Sequence, residues 1–443
     1  MFLTLFLKEC KQMLKCLTYY LIVICMVFFY TTQLGETGII SEPKPGMGDY
    51  GWTKSSDERV IMDETIKVFA REYAFNKYST YPIGFYKEVT LNKAKQSQMG
   101  DILAEVTGWE KAELNSYLYK YYKEVMIDGD LMDKNSLTIT SEDLDAPNSA
   151  SFQTIQESDN YYAEEFLLSA VAEMTYEDFA KTMKRADKIL GGGSSYAQDS
   201  LSSNAYVPKT YEQAVEEYND ILKQDHLSGA YARLFSDYMG ITLAILPIFI
   251  AVTRGLRDRR ARANEIIYSR SISSVKIIVS RYLAMLIMLL LPVFLLASSL
   301  AMESILAGSR IGIAVDYFAF PKYIGGWLLP TIMITVAVGM FLTELTDTAI
   351  AILIQGLWWF ISLLSNSSLT GGHGWNLIPR HNALGQYQIF KEKFHILVAN
   401  RLAYGMGAVL LILITVFVYE MKRKGRLNLR GKIFTNRKNK SQT

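Results

Sequence analysis

The densest chemistry in this chain is cationic. Eight basic side chains, Arg254, Arg257, Arg259, Arg260, Arg262, Arg270, Lys276 and Arg281, fall within 28 residues that separate two long apolar runs. Guanidinium groups at that density bind oxyanions, either phosphate headgroups or the carboxylates of a partner protein, through paired N–H donors. They do no covalent chemistry themselves, and the groups that would do it are missing or scattered. The four histidines, His226, His373, His381 and His395, share no metal-ligand spacing, and no H-E-x-x-H run occurs. Gly191, Gly192 and Gly193 are followed by Ser194, Ser195 and Tyr196, without the lysine a phosphate-binding loop needs, so the chain has no nucleotide site of its own. The acidic clusters Asp128, Asp130, Asp133 and Glu142, Asp143, Asp145 have calcium-type oxygen ligands but read as a solvated acidic surface. No catalytic residue, metal site or cofactor is expected, and no nucleic-acid partner.

The apolar runs beside the cations must position them. A helix needs roughly 20 apolar residues to cross ~30 Å of hydrocarbon. Six charge-free runs approach that length: 17–35, 238–253 (extended back to 234), 282–302, 323–343, 348–365 and 402–419. The first lacks a small-residue cleavage site and reads as an anchor. The expected fold is an all-α polytopic membrane protein of six transmembrane helices with a large, mainly helical extracellular domain between the first and second. Tyrosines and tryptophans such as Tyr19, Tyr20, Tyr238, Tyr282, Tyr323 and Trp327 mark the run ends, where amphipathic rings settle among headgroups. Pro247, Pro292 and Pro330 fall inside runs and predict kinks.

Charge orients the runs. Residues 36–237 carry 35 acidic and 20 basic side chains, whereas the rest carries 9 and 26, so a net +2 hides two opposed halves. Lys and Arg stay on the cytoplasmic side of spanning helices. That places 254–281 and the basic tail 421–443 inside, with both termini in the cytoplasm and 36–233 outside the cell membrane. Arg380, Lys391, Lys393 and Arg401 fit less well, because they fall in a segment, 366–401, that the alternation places outside. Within it, 386–398 is amphipathic and reads as a re-entrant or interfacial helix. The spans themselves hold almost no charge, so no proton or sodium relay of the carboxylate type is visible.

Two cytoplasmic devices follow. Residues 1–16 set Leu3, Phe6, Leu7, Cys10, Met13 and Leu14 at helical spacing opposite Lys8, Lys11, Gln12 and Lys15, the pattern of a helix lying in the inner interface on anionic lipid. Arg257, Arg259, Arg260 and Arg262 belong to the same lipid-facing set. The second device is a short helix over about 259–269, a turn over 270–273, and a new helix with Ser273 as N-cap. It would expose Glu265, Tyr268, Ser269 and Arg270, with Ile266 and Ile267 free to dock.

Six spans, an interfacial leading helix, a large insert after the first span, and the stretches "RDRRARANEIIYSRSISSVKIIVSRYLA" and "ANRLAYGMGAVLLILITVFVYEMKRK" together resemble the permease subunits of ABC-2 type ATP-binding-cassette transporters. The resemblance covers 1–35 and 232–424. It implies that Glu265, Ile266, Tyr268, Ser269, Arg270, Ser271 and Ile272 contact a separate ATPase, which binds the ATP and magnesium. It further implies a dimer, with a second copy or a paralogue, a pathway lined by the second and fifth spans, and export of a substrate. The other class of function compatible with these residues is a membrane-anchored sensor with a cytoplasmic signalling partner.

The large insert is read from its own periodicity: helices over 59–73, 99–125, 176–190 and, capped by Thr210, 211–222, with a short strand over 137–139. Gly191–Gly193 ends the third helix. All three cysteines (Cys10, Cys16, Cys25) precede this domain, which points to a bacterial surface without a disulfide-forming compartment, as in a Gram-positive cell. Its acidity would attract cationic peptides.

Overall fold

The computed structural model describes residues 2–35, 38–82, 86–128, 166–261, 268, 272–364, 376–381 and 383–427. The chain divides into two compact units, one of residues 1–43 and 215–443, the other of 44–214. The leading helix α1 (Phe2–Met13) is separated from α2 (Leu17–Leu34) by a short break, where Cys16 is extended at φ −97° and ψ 120°. Tyr20 Oη spans the break, donating to the Leu14 carbonyl at 2.8 Å.

The second unit opens with β1 (Trp52–Lys54) and continues through α3 (Glu58–Phe75), the strands β2 (Tyr78–Thr80) and β3 (Lys87–Val89), α4 (Lys93–Thr107), α5 (Lys111–Asp128), α6 (Tyr176–Leu190) and β4 (Tyr206–Pro208). β1 pairs antiparallel with β4, and β2 with β3. The helix expected over 99–125 is two helices. Gly108 ends α4 with φ 71°, a left-handed backbone that closes a helix, and its N–H bonds the Ala104 carbonyl. Gly191 ends α6 in the same way. Ile66, Phe69, Met99, Leu103, Leu114, Leu118, Phe179 and Met183 make one core between these helices. The strand expected over 137–139 and both acidic clusters beyond Asp128 lie outside the described residues.

Glu72 is buried in that core. Its carboxyl accepts from Ser79 N at 2.9 Å and from Tyr196 Oη at 2.5 Å, tying α3 to β2 and to the loop after α6. Burial pushes the acid above the usual glutamate range, against the opposing pull of those two donors.

The helix α7 (Tyr211–Lys223) crosses the division between the units. It carries the expected cap as a reciprocal box, with Gln213 N donating to Thr210 Oγ1 at 3.3 Å and Thr210 N donating to Gln213 Oε1 at 3.0 Å. In the first unit, α8 (Ser228–Leu243) and α9 (Leu246–Arg260) follow, then α10 (Ser274–Arg310), α11 (Ala319–Thr346, with a π-helical stretch over Ile324–Leu328), α12 (Ile350–Leu364) and α13 (Tyr387–Arg423). Among the described residues four helices, α2, α10, α11 and α13, are long and apolar enough to cross a membrane. The pair α8 and α9, bent by 41°, passes as a fifth, and α12 is apolar but shorter, at 15 residues. The protein is therefore largely helical, and its long apolar helices are those of a membrane-embedded protein. Residues 387–401, expected in a separate interfacial segment, are instead the first turns of the 37-residue α13.

Proline explains the bend. Pro247 sits in the first turn of α9, where its missing N–H is tolerated. Ile248 N bonds the Ile245 carbonyl at 3.2 Å, which leaves the Ala244 carbonyl outside the helical ladder. In its place Gln355 Nε2 donates to Ala244 O at 2.7 Å and Trp359 Nε1 to Ile241 O at 2.9 Å, so α12 is fastened to the broken joint by side-chain bonds. Below the joint α9 and α11 pack closely at Gly339, where a Cβ would lie 2.6 Å from that of Ala251.

An acid whose pKa rises on folding binds its proton more tightly in the native state, so its contribution is present at low pH and fades as pH climbs through the raised value. Thermal melts of the full chain and of Glu72→Gln, compared from about pH 4.3 upward, should show the wild type losing stability relative to the variant. A parallel pair of curves would contradict the assignment.

Candidate functional site

The leading helix has three faces rather than the two read from its pattern. Lys8 and Lys11 are exposed along one side and Leu3 and Leu7 along the next, with Leu14 and Lys15 exposed in the turn that follows. The third side is turned into the protein and carries Met13 and Glu9, both buried, against α10. A single carboxylate on a cationic helix thus points inward. It is the residue that sequence reasoning missed, and the signal was its isolation: the only acid among the first 35 residues.

Glu9 is the hub of a buried ion cluster. Arg254, near the end of α9, donates to Glu9 Oε2, and its Nη2 reaches Gln12 Oε1 at 2.6 Å. Arg281, in the second turn of α10, donates from Nε to Glu9 Oε1 at 3.2 Å and pairs through Nη2 with Asp258. Arg257 adds a bond to Gln12 Oε1 at 2.9 Å from the exposed rim. Two carboxylates and two guanidinium groups balance, so the desolvation penalty of several kcal/mol per ion is opposed by charge pairing and filled hydrogen bonds. The cluster ties together α1, the end of α9 and the start of α10, the two helices that bracket the cationic loop.

A second grip lies at the end of α13. Arg423 donates from Nε to the Tyr268 carbonyl at 3.0 Å and from Nη1 to the Ile272 carbonyl at 2.7 Å. The Tyr268 ring meets Tyr419 edge to face at 5.4 Å. The Ser274 hydroxyl donates to Glu420, and Lys422 bonds the Glu344 carbonyl and, at 2.5 Å, Asp347 Oδ1 at the end of α11. Two cations in the last turn also suit the negative end of the helix dipole. Both ends of the loop are therefore fixed to spanning helices by charge.

Of the residues expected to touch a partner, Tyr268 and Ile272 are placed here as carbonyl acceptors for Arg423. Glu265, Ile266, Ser269, Arg270, Ser271 and, from the lipid-facing set, Arg262 lie outside the described residues. Arg259 and Arg260 end α9 and do not start a separate helix. Ser273 has the N-cap backbone of α10 but no capping hydrogen bond from its hydroxyl.

At the other end of the α8–α9 pair a third set of charges is buried. Arg233 forms a two-fold bond with Asp225 at 2.7 and 2.8 Å and donates to the Leu384 carbonyl. Asp237 accepts from Arg380 Nε and from His381 N, each at 3.0 Å. Arg401 is buried among the carbonyls of Trp327, Asn376 and Leu377 and the side chains of Thr331 and Asn400. The two arginines that fitted the charge rule poorly are thus internal fasteners rather than solvated loop cations. Burial holds the His381 imidazole down to about 4, so it is neutral at physiological pH. His395 is exposed and His373 lies outside the described residues. Comparison with protein-family models, with curated proteins and with solved structures finds no match for this chain.

Removing one partner of a buried ion pair strands the other. Glu9→Ala leaves two arginines facing each other and should cost about 3–5 kcal/mol in detergent unfolding. Arg254→Met added to Glu9→Ala should cost clearly less than the two changes summed. Additive losses would show that the cluster does not act as a unit.

Proposed function

We propose that this chain is the permease subunit of an ATP-binding-cassette exporter of the ABC-2 type, with ATP hydrolysed by a separate subunit docked under the loop that follows α9. In this reading α2, the α8–α9 pair, α10, α11, α12 and α13 are six spans, and both termini and the loop face the cytoplasm. Unit 44–214 lies outside the cell. Two copies, or one copy and a paralogue, supply the pathway.

The observation that supports the reading most directly is the way the loop is held. Its entry and exit helices share the Glu9 cluster, and Arg423 grips its Tyr268 and Ile272 carbonyls from α13. A load applied to residues 262–271 passes to α9, α10 and α13 together, which is what a lever needs and a simple lipid anchor does not. The substrate would be a peptide, lipid or drug-like amphiphile, and the acidity of 36–237 favours a cationic one.

Reconstitution with an ATPase encoded beside it provides the test. Glu265→Ala and Arg270→Ala should weaken ATPase assembly or uncouple hydrolysis. Arg423→Ala should preserve insertion and binding but lower coupled turnover by about tenfold, equivalent to ~1.4 kcal/mol of barrier. Full coupling in all three variants would remove the lever role, and failure of any ATPase to co-purify would favour a sensor.

A further inference from the structure

A cavity of about 390 Å³ opens at the broken joint between α8 and α9. Ile24, Cys25 and Phe28 of α2 face Ile241 and Ile245 of the joint, with Trp359 of α12 closing one side. Its lining is almost wholly apolar, because the Trp359 N–H is turned away onto the Ile241 carbonyl. An occupant must therefore be a hydrocarbon chain or an apolar side chain.

The route to the cavity favours the first. Leu17, Leu21, Ile24 and Phe28 stand 73, 53, 61 and 68 % exposed at spacings of four, three and four, one continuous apolar stripe on α2. The stripe begins two residues after Lys15, which with Lys8 and Lys11 of the preceding helix makes an exposed cationic set. From Leu17 to Ile24 is about 10 Å along the axis and to Phe28 about 16 Å, the depth of one leaflet of a ~30 Å hydrocarbon core. The joint's packing cannot close the gap, since the bend of 41° carries α9 away from the line of α8.

We propose that this cavity is a site for an anionic phospholipid of the inner leaflet, its headgroup on Lys8, Lys11 and Lys15 and one acyl chain laid along Leu17 and Leu21 into the space beside Trp359. The inference rests on the membrane-embedded reading but needs no ATPase. A lipid held there wedges α2 and α12 against the joint and links the headgroup composition of the membrane to the bend of the α8–α9 span.

Bromine on an acyl chain quenches tryptophan on contact, which makes Trp359 the reporter. The full-length protein is placed in phosphatidylcholine nanodiscs with a small fraction of either phosphatidylglycerol or phosphatidylcholine brominated at mid-chain. Brominated phosphatidylglycerol should quench more than brominated phosphatidylcholine at equal fraction. Trp359→Phe should abolish that difference, and so should the triple change Lys8→Gln, Lys11→Gln, Lys15→Gln, which lies on an exposed face and serves if Trp359→Phe fails to fold. Equal quenching by both lipids in the wild type overturns the proposal. So does a difference that survives Trp359→Phe, which would seat the lipid elsewhere, or tryptophan quenching from which Trp359 is excluded, which would mean a second copy of the chain covers the cavity. If neither lipid quenches any tryptophan, the membrane reading itself fails.

Discussion

The pairing of Glu9 with Arg254 and Arg281 is the constraint around which the first unit is organised. The leading helix meets, at one carboxylate, two helices some 240 or more residues further along the chain. Because the group is buried, none of the three can shift without leaving a charge uncompensated in a poorly hydrated place, a penalty far larger than the loss of an exposed pair. Asp258 completes the balance by taking the other arm of Arg281. The leading helix is thereby bound to the bundle on one face while Leu3, Leu7, Lys8 and Lys11 remain turned outward.

The same logic recurs at three levels of the bundle. At the broken joint a side chain from α12 takes each freed carbonyl, Gln355 at Ala244 and Trp359 at Ile241, and Arg401 of α13 bonds the Trp327 carbonyl inside the π-helical stretch before Pro330. In an apolar surrounding an unbonded carbonyl is costly. Irregular backbone therefore persists only where a polar partner is built in. These fastenings lock α12 and α13 to the bent span and to α11, and the two clamps at the loop lock the helix ends.

Four of the six expected spans, and a fifth as a bent pair, were legible because hydropathy is a strong signal over roughly 20 residues. Their ends were not. A hydropathy run stops at the first charge, whereas α10 and α13 continue to 37 residues each by giving buried charges polar partners, Arg281 on Glu9 and Asp258 and Arg401 on carbonyl, hydroxyl and amide oxygens. Arg254 and Arg281 were correctly grouped as part of a cationic stretch, but nothing in their spacing distinguishes a guanidinium on lipid from one on Glu9. The helix break at Gly108 was missed, because the apolar spacing runs on through 99–125 and masks the glycine that ends α4 in a left-handed turn. The three-residue strands were missed too, because so short a segment has no periodicity to detect. The Thr210 cap and the Gly191 stop were read correctly, since capping chemistry is local and does not depend on the rest of the fold.

In the proposed exporter, if charge joins the loop to the helices as one lever, the ends of α1 and α9 should move together when the proposed motor subunit closes beneath them. Spin labels at Lys11 and Arg260, with distances measured by pulsed electron resonance in the assembled complex, test this most directly. The account predicts that the separation between these two sites within one chain is the same with and without ATP, while the separation between the Arg260 sites of paired copies changes. A nucleotide-dependent change within the chain, with none between copies, would contradict it.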